Sequence, residues 1–400
     1  MEPQIRAQVY ELLETMCQAL AHLREGGDDS LLDTVREGRK AVTALLDQAL
    51  DTSLTRRVNA DRLPDDEWVQ MAYLVLGELE DPFQPRNAFD RQMLSLLQYF
   101  WDNSEKTLLK NLKQKMDALK EMPGGEENYK GFVEYFARFP LWGTLDPREG
   151  CYDTLERRAA VLKRHSYDFL WLYRRLEDYL SRQTLFAILY NWALLDLQCI
   201  TRVKSIFPDY WEPDIFPDND GDVLVDVGAY VGDSIGQYVN MYGTGYRRIY
   251  AYEISPESCA ALAKNTAHLH DVVVRQKGAG ARRGSFSLSL SSDPSANQVG
   301  ANGGGEQVEV VPLDEDIEEP ITFLKMDIEG AEWDALMGCE GHITRDRPRL
   351  AICVYHGYDD LWRIPRMIEC MEPHYHMYLR HNGGNLIPTE FVLLCRPEKD

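Results

Sequence analysis

The sequence predicts a helical N-terminal half followed by an α/β domain built on a mostly parallel sheet. Three observations carry this. Up to residue 205 the apolar side chains recur at helical spacing. At 206–222 the stretch IFPDYWEPDIFPDNDGD holds three prolines and six acids, which is boundary composition. Beyond it, short β-rich runs alternate with helical ones, and strand then helix, repeated, means a parallel sheet covered on both faces. The domains are therefore 1–205, for substrate recognition or oligomerisation, and 206–400.

The first helix is read from Ile5, Val9, Leu12, Leu13, Met16 and Leu20, which fall on one face. A GGDD break follows, and Ser30 is placed to cap the next helix, which carries Leu31, Leu32, Val35, Val42, Leu45, Leu46 and Leu50. Further helical runs are expected near 65–79, 88–121, 129–138 and 153–204. The aromatic runs YFW at 99–101 and FLWLY at 169–173 read first as core packing. No fixed-period repeat supports a solenoid.

Composition excludes several classes. A formal net charge of −22 argues against a phosphate-backbone interface, which needs a basic footprint, so no nucleic-acid partner is expected. No window reaches the length of a membrane span, and Glu2, Arg6, Glu11 and Glu14 interrupt any secretory apolar core. The eight cysteines form no CxxC pair and read as reduced thiols of a cytoplasmic protein.

In the second half, strands are expected at 223–228, 248–253, 271–276, 285–290, 307–312, 321–327, 349–355, 376–381 and 390–395. Helices are expected at 233–241, 256–267, 331–341 and 361–371. Only NGGNLIP separates the last two strands, so they should pair as an antiparallel hairpin. Residues 285–312 read as an excursion with one half-exposed strand on each side of a loop. That loop, 291–305, is a candidate lid or a plain solvated connection.

The chemistry concentrates at strand ends. LVDVGAYVGDS, 224–234, runs from a strand into a helix and spaces Gly228 and Gly232 as G-x-x-x-G. A dinucleotide fingerprint wants G-x-G-x-x-G so that a pyrophosphate can reach the helix N-terminus, and Tyr230 blocks that approach. S-adenosylmethionine has no phosphate; it needs a tight turn and an acceptor for its ammonium, for which Asp226 is placed. Glu253 lies 25 residues after Gly228, at the end of the next strand, where an acid can accept both ribose hydroxyls; the alternative is a helix cap. Gly278 and Ala279 would leave room for a flat adenine; the alternative is an ordinary turn. TFLKMDIEGAEWDAL then ends a strand in Lys325, Asp327 and Glu329, while Glu332 suits the helix dipole that follows. His356 ends the next strand on the same rim, as a general base or as a structural histidine.

VDVGAYVGDS, YAYE, PLDE, FLKMDIEGAE, VYHGYDDLWRIP and YHMYLRH resemble the FkbM-type methyltransferases over roughly 205–396. The resemblance implies a Rossmann-like class I methyltransferase domain with a seven-stranded sheet whose last strand is antiparallel. It implies S-adenosylmethionine as methyl donor and a hydroxyl of a sugar, glycan or natural product as acceptor. Carried over, Asp226, Gly228, Gly232 and Glu253 hold the cofactor, Asp327 sits beside the sulfonium, and Glu329 and His356 face the acceptor. With the neighbouring Tyr230, Asp233, Ser234, Gly278 and Ala279, and with Asp327, these four make up the candidate cofactor set, and His356, Asp327 and Glu329 the candidate catalytic set. The long helical half is poorly covered by typical short members.

Asp327, Glu329 and the Asp359–Asp360 pair offer oxygen ligands of the kind magnesium takes, but in no recognised cage, so a metal is not favoured. The expected partners are a small-molecule, sugar or glycan acceptor and, through the helical domain, a second copy of the chain. Two other readings stay open: methylation of a peptide or carboxylate, and an inactive scaffold of the same fold.

Overall fold

The computed structural model describes residues 1–28, 30–50, 53–289, 298–300, 307–384 and 387–398. They form two compact units, Met1–Arg175 with Leu189–Asp196, and Leu176–Ile188 with Leu197–Asp400.

The first unit is helical. Helices Pro3–Arg24 and Leu31–Ala49 bury Val9, Leu13 and Met16 of one beside Val35, Val42 and Leu46 of the other. Ser30 is not a side-chain cap as expected; its own amide instead donates to Asp28 Oδ1 at 3.1 Å. The single run expected at 88–121 is two helices, Ala88–Asp102 and Glu105–Leu119. Ser104 causes the restart, since its hydroxyl accepts from the Thr107 amide. Lys163 is buried and donates to the Phe100 and Trp101 carbonyls, which satisfies orphan acceptors where the earlier helix ends. The aromatic runs are core here: Phe100, Phe169 and Tyr173 are fully buried.

The second unit is built on a seven-stranded sheet and a smaller one. The strands in chain order are β1 Val223–Val227, β2 Arg248–Tyr252, β3 Val272–Arg275, β4 Gly278–Ala279, β5 Gly284–Ser289 and β6 Gln298–Gly300. Then come β7 Gln307–Val311, β8 Phe323–Met326, β9 Arg349–Cys353, β10 Tyr375–His381 and β11 Phe391–Pro397. The large sheet runs β10-β11-β9-β8-β1-β2-β3. All its pairings are parallel except those of β11, which lies antiparallel to both neighbours, as the helix-free connection demands. β1 and β8 are buried along their whole length, as central strands covered on both faces must be. β4-β7-β5-β6 form the small sheet, which is the excursion expected at 285–312. The candidate lid 291–305 lies outside the described residues apart from β6. The helix expected at 331–341 is two short ones, Glu332–Met337 and Glu340–Asp346, with Gly338 ending the first.

Residues 176–188 and 197–205, grouped with the helical half by the sequence, pack in this second unit. Hydrogen bonding explains it. β10 is the sheet edge, and its open backbone groups are met by Glu177, whose amide donates to Met377 O, and by Ser205, whose amide donates to His381 O. Arg380 reaches back to Asp178 at 2.7 Å and to Ser181 Oγ at 2.7 Å.

His381 on that edge strand is fully buried. Burial, with Lys204 nearby, holds its pKa down at about 4. Folding then favours the neutral ring, while the unfolded chain protonates near pH 6.5. Stability present above about pH 6.5 is lost as pH falls toward 4, by up to roughly 3 kcal/mol. Urea unfolding across that window should show the slope, and His381→Gln should flatten it.

Candidate functional site

Strand order reverses at β1: the chain moves outward through β2 and β3, then returns to β8 on the other side. Ligands of open α/β sheets bind outside the carboxyl ends of the strands at such a point. A cavity of about 230 Å³ lies there.

Its floor is a buried ion pair. Asp226 of β1 and Lys325 of β8 are register partners, and Lys325 Nζ sits 2.9 Å from Asp226 Oδ1. Burial opposes a charge on Lys325, but Asp226 and then Asp327 outweigh it and raise its pKa, so the ammonium is kept. The lysine also donates to Gly228 O at 2.8 Å and faces the Tyr210 ring at 4.9 Å. Asp226 Oδ2 accepts from Ser234 Oγ at 2.5 Å. Asp226 therefore lies beneath the cavity and does not line it, and Gly232 does not line it either. Gly228, Tyr230, Asp233, Ser234, Glu253, Gly278, Ala279, Asp327 and Glu329 do.

Gly228 has φ +80°, and a Cβ there would come within 1.8 Å of the Asp327 carbonyl oxygen, so the two strand ends meet only because this residue is glycine. Glu253 closes one side of the cavity. Its carboxylate accepts from the Tyr230 amide at 2.9 Å and the Ser255 amide at 2.8 Å, while Ser255 itself caps the following helix. Burial raises the Glu253 pKa against these bonds. Asp233 opens helix Asp233–Tyr242 and puts an acid where a phosphate would have to sit.

The other side is acidic and aromatic. Asp327 Oδ2 accepts from the Tyr210 hydroxyl at 2.6 Å, and Oδ1 lies 3.3 Å from His356 Nε2. Burial would lift the Asp327 carboxyl, but His356, Lys325 and the Tyr210 bond hold it low. His356 is itself buried. Burial would lower its pKa, but Glu332, Asp327 and Glu329 hold it up at about 10. Glu332 Oε1 stands 2.9 Å from His356 Nδ1, and the same carboxylate accepts from the Ile328 and Gly330 amides. Glu332 thus holds both the histidine and the loop after β8. His356 stands behind Asp327 and Glu329 rather than on the cavity wall.

Among the wall residues not singled out from the sequence are Tyr210 before β1, Lys277 between β3 and β4, Tyr355 after β9, and Glu390 just before β11. Burial, with Asp327 and Asp209 nearby, pushes the Glu390 carboxyl up to about 8. Tyr210, Tyr230, Glu329 and Glu390 all have left-handed backbone, with φ of 69°, 43°, 57° and 53°. Non-glycine residues seldom adopt it, and half of the eight such residues among those described line this one cavity. The Asp359–Asp360 pair is turned to local work: Asp360 accepts from the Gly357 amide and Asp359 from Trp362 Nε1.

Residues 226–383 match the sequence model of the methyltransferase FkbM domain. The C-terminal half thus carries an FkbM methyltransferase domain. A crystal structure of methyltransferase FkbM from Methylobacillus flagellatus KT superposes with a TM-score of 0.54 at 23% identity, over 69% of this chain and 72% of that one. An rRNA methylase from Streptococcus thermophilus gives 0.31 at 13% identity, over 45% of this chain and 89% of its own. Fibrillarin from Aeropyrum pernix, in complex with S-adenosyl-L-methionine, gives 0.30 at 11%, over 44% and 67%. No curated protein matches the chain. The matched FkbM span begins at Asp226 and stops short of Glu390; Tyr210 precedes it. Tyr210 and Glu390 thus line the cavity from segments before and after the matched span. Among the described residues no helix is long and apolar enough to cross a membrane, and all eight cysteines are free thiols.

Lys325→Met should leave Asp226 buried without its counter-charge, at a cost of about 3–5 kcal/mol. Denaturant unfolding checks this, and Asp226→Asn added to Lys325→Met should recover a large part of the loss.

Proposed function

We propose that the domain transfers a methyl group from S-adenosylmethionine to a hydroxyl of a sugar, glycan or other natural product. The observation that carries this is the division of one cavity into two halves of different chemistry. On the β2 side stand Glu253, Tyr230 and the small Gly278 and Ala279; on the β8 side stand Asp327, Glu329, Tyr210 and Tyr355.

The first half suits the donor. Glu253 keeps lone pairs for ribose hydroxyls, and Gly278 and Ala279 leave a flat space for adenine. Asp233 at the helix start disfavours the pyrophosphate of a dinucleotide and tolerates a sulfonium and an ammonium. Asp226 acts here from beneath the cavity, through Lys325, which holds the Gly228 turn, and through Ser234, which lines the wall.

The second half suits a neutral, hydroxyl-bearing acceptor. Carboxylates accept from hydroxyls, and tyrosines offer apolar faces with a polar tip. A carboxylate acceptor would meet Asp327, Glu329 and the surrounding negative charge, so that reading is disfavoured. In the transfer, the acceptor oxygen bonds to the methyl carbon, the carbon–sulfur bond breaks, and sulfur keeps the electron pair. The hydroxyl proton passes to the carboxylates of the β8 side. Holding oxygen, carbon and sulfur in line supplies most of the benefit. His356 and Glu332 keep Asp327 aimed, which makes them positioning residues.

Calorimetric titration with S-adenosylhomocysteine tests the reading. Wild type should bind, and Glu253→Ala should weaken binding by about 1.5–3 kcal/mol while its thermal unfolding stays cooperative. A folded protein that ignores the ligand sinks the proposal and favours a scaffold role.

A further inference from the structure

We propose that Asp327, Glu329 and His356 form a binding site for a divalent first-row cation of the manganese-to-zinc series. Each offers one ligand atom, and the three atoms lie within 4.8 Å of one another. His356 Nε2 is 3.3 Å from Asp327 Oδ1 and 3.7 Å from Glu329 Oε2. Ligands about 2.0–2.2 Å from one ion are separated by roughly 3–3.6 Å, so the His356–Asp327 edge fits a shared cation and the His356–Glu329 edge lies just outside that range.

Two further observations point to a ligand rather than to a bare cluster. His356 Nε2 and Asp327 Oδ1 are buried and face each other as an ion pair at 3.3 Å, and neither they nor His356 Nδ1 make a hydrogen bond among the described residues. The other ring nitrogen, Nδ1, stands 2.9 Å from Glu332 Oε1. A metal-bound imidazole is almost always oriented in this way, with its second nitrogen on a carboxylate. Glu332 is fixed in turn by the Ile328 and Gly330 amides, so the ring is held from behind. The donor set of one imidazole and two carboxylates is one that first-row divalent ions accept. In the loaded site the ion takes the place of a proton on Nε2.

Asp327 and Glu329 line the cavity, and His356 stands behind them. Three protein ligands leave coordination positions open toward the cavity. The ion's role rests on the methyl-transfer reading: it would hold the acceptor oxygen, and the hydroxyl proton would pass to water in the cavity, rather than to the ligand carboxylates, as the oxygen–carbon bond forms and the carbon–sulfur bond breaks. The ligand set itself stands without that reading.

The test is titration of the full chain with Mn²⁺, followed by paramagnetic resonance and calorimetry, beside S-adenosylhomocysteine titrations of the same samples. The expected result is one Mn²⁺ per chain, with affinity falling at least about tenfold in Glu329→Gln and in Asp327→Asn, and unchanged in Glu253→Gln. Thermal unfolding confirms that the variants are folded. Absent binding of both Mn²⁺ and Zn²⁺, or binding that Glu329→Gln and Asp327→Asn both leave intact, overturns the proposal. Binding of S-adenosylhomocysteine without metal sinks the metal site and spares the donor. Specific Mn²⁺ binding without S-adenosylhomocysteine does the reverse.

Discussion

A lysine and an aspartate, opposite one another on adjacent central strands, set the frame for everything above them. Lys325 and Asp226 are both fully enclosed, so each needs the other to remain charged. The pair ties β8 to β1 where strand order reverses. The lysine's second bond, to the Gly228 carbonyl, fixes the turn that faces the ligand cavity. The aspartate's second bond, to Ser234, fixes the start of the next helix. A hydrophobic pair of similar volume would pack as well, but it could not direct the turn and the helix with the same hydrogen bonds.

Above this floor, electrostatics separate two tasks. Glu253 accepts from two backbone amides and so is held by neutral partners. Asp327 is held by a tyrosine hydroxyl and by His356, which in turn leans on Glu332. The first arrangement suits recognition of neutral hydroxyls. The second places several negative charges around a buried imidazole, which concentrates attraction for positive charge at one point on the rim.

Much of this was legible in the sequence, because strand-end glycines and acids have few structural reasons to exist. Asp327, Glu253 and Gly228 are of that kind, and the structure brings all three to one cavity. Asp226 was read as a direct ligand acceptor, but it lies beneath the cavity as the partner of Lys325, because strand register is a long-range property that local sequence does not show. Glu332 was read as a helix-dipole residue; its contact with His356 joins residues 24 apart in sequence. Tyr210 and Glu390 carried no signal, since they come from a boundary segment and from just before the last strand. Likewise, 176–188 and 197–205 have helical periodicity, and nothing local says that they meet β10.

The left-handed backbone at Tyr210, Tyr230, Glu329 and Glu390 has an engineering consequence. Glycine would relax each position by on the order of 1 kcal/mol. A search for stabilising substitutions would therefore be drawn to this rim, and each success would delete a side chain that faces the ligand. Durability and activity are set against each other here, residue by residue. Stabilisation of this protein is better sought in the helical half, where helix caps and surface charge pairs can be improved without touching the cavity.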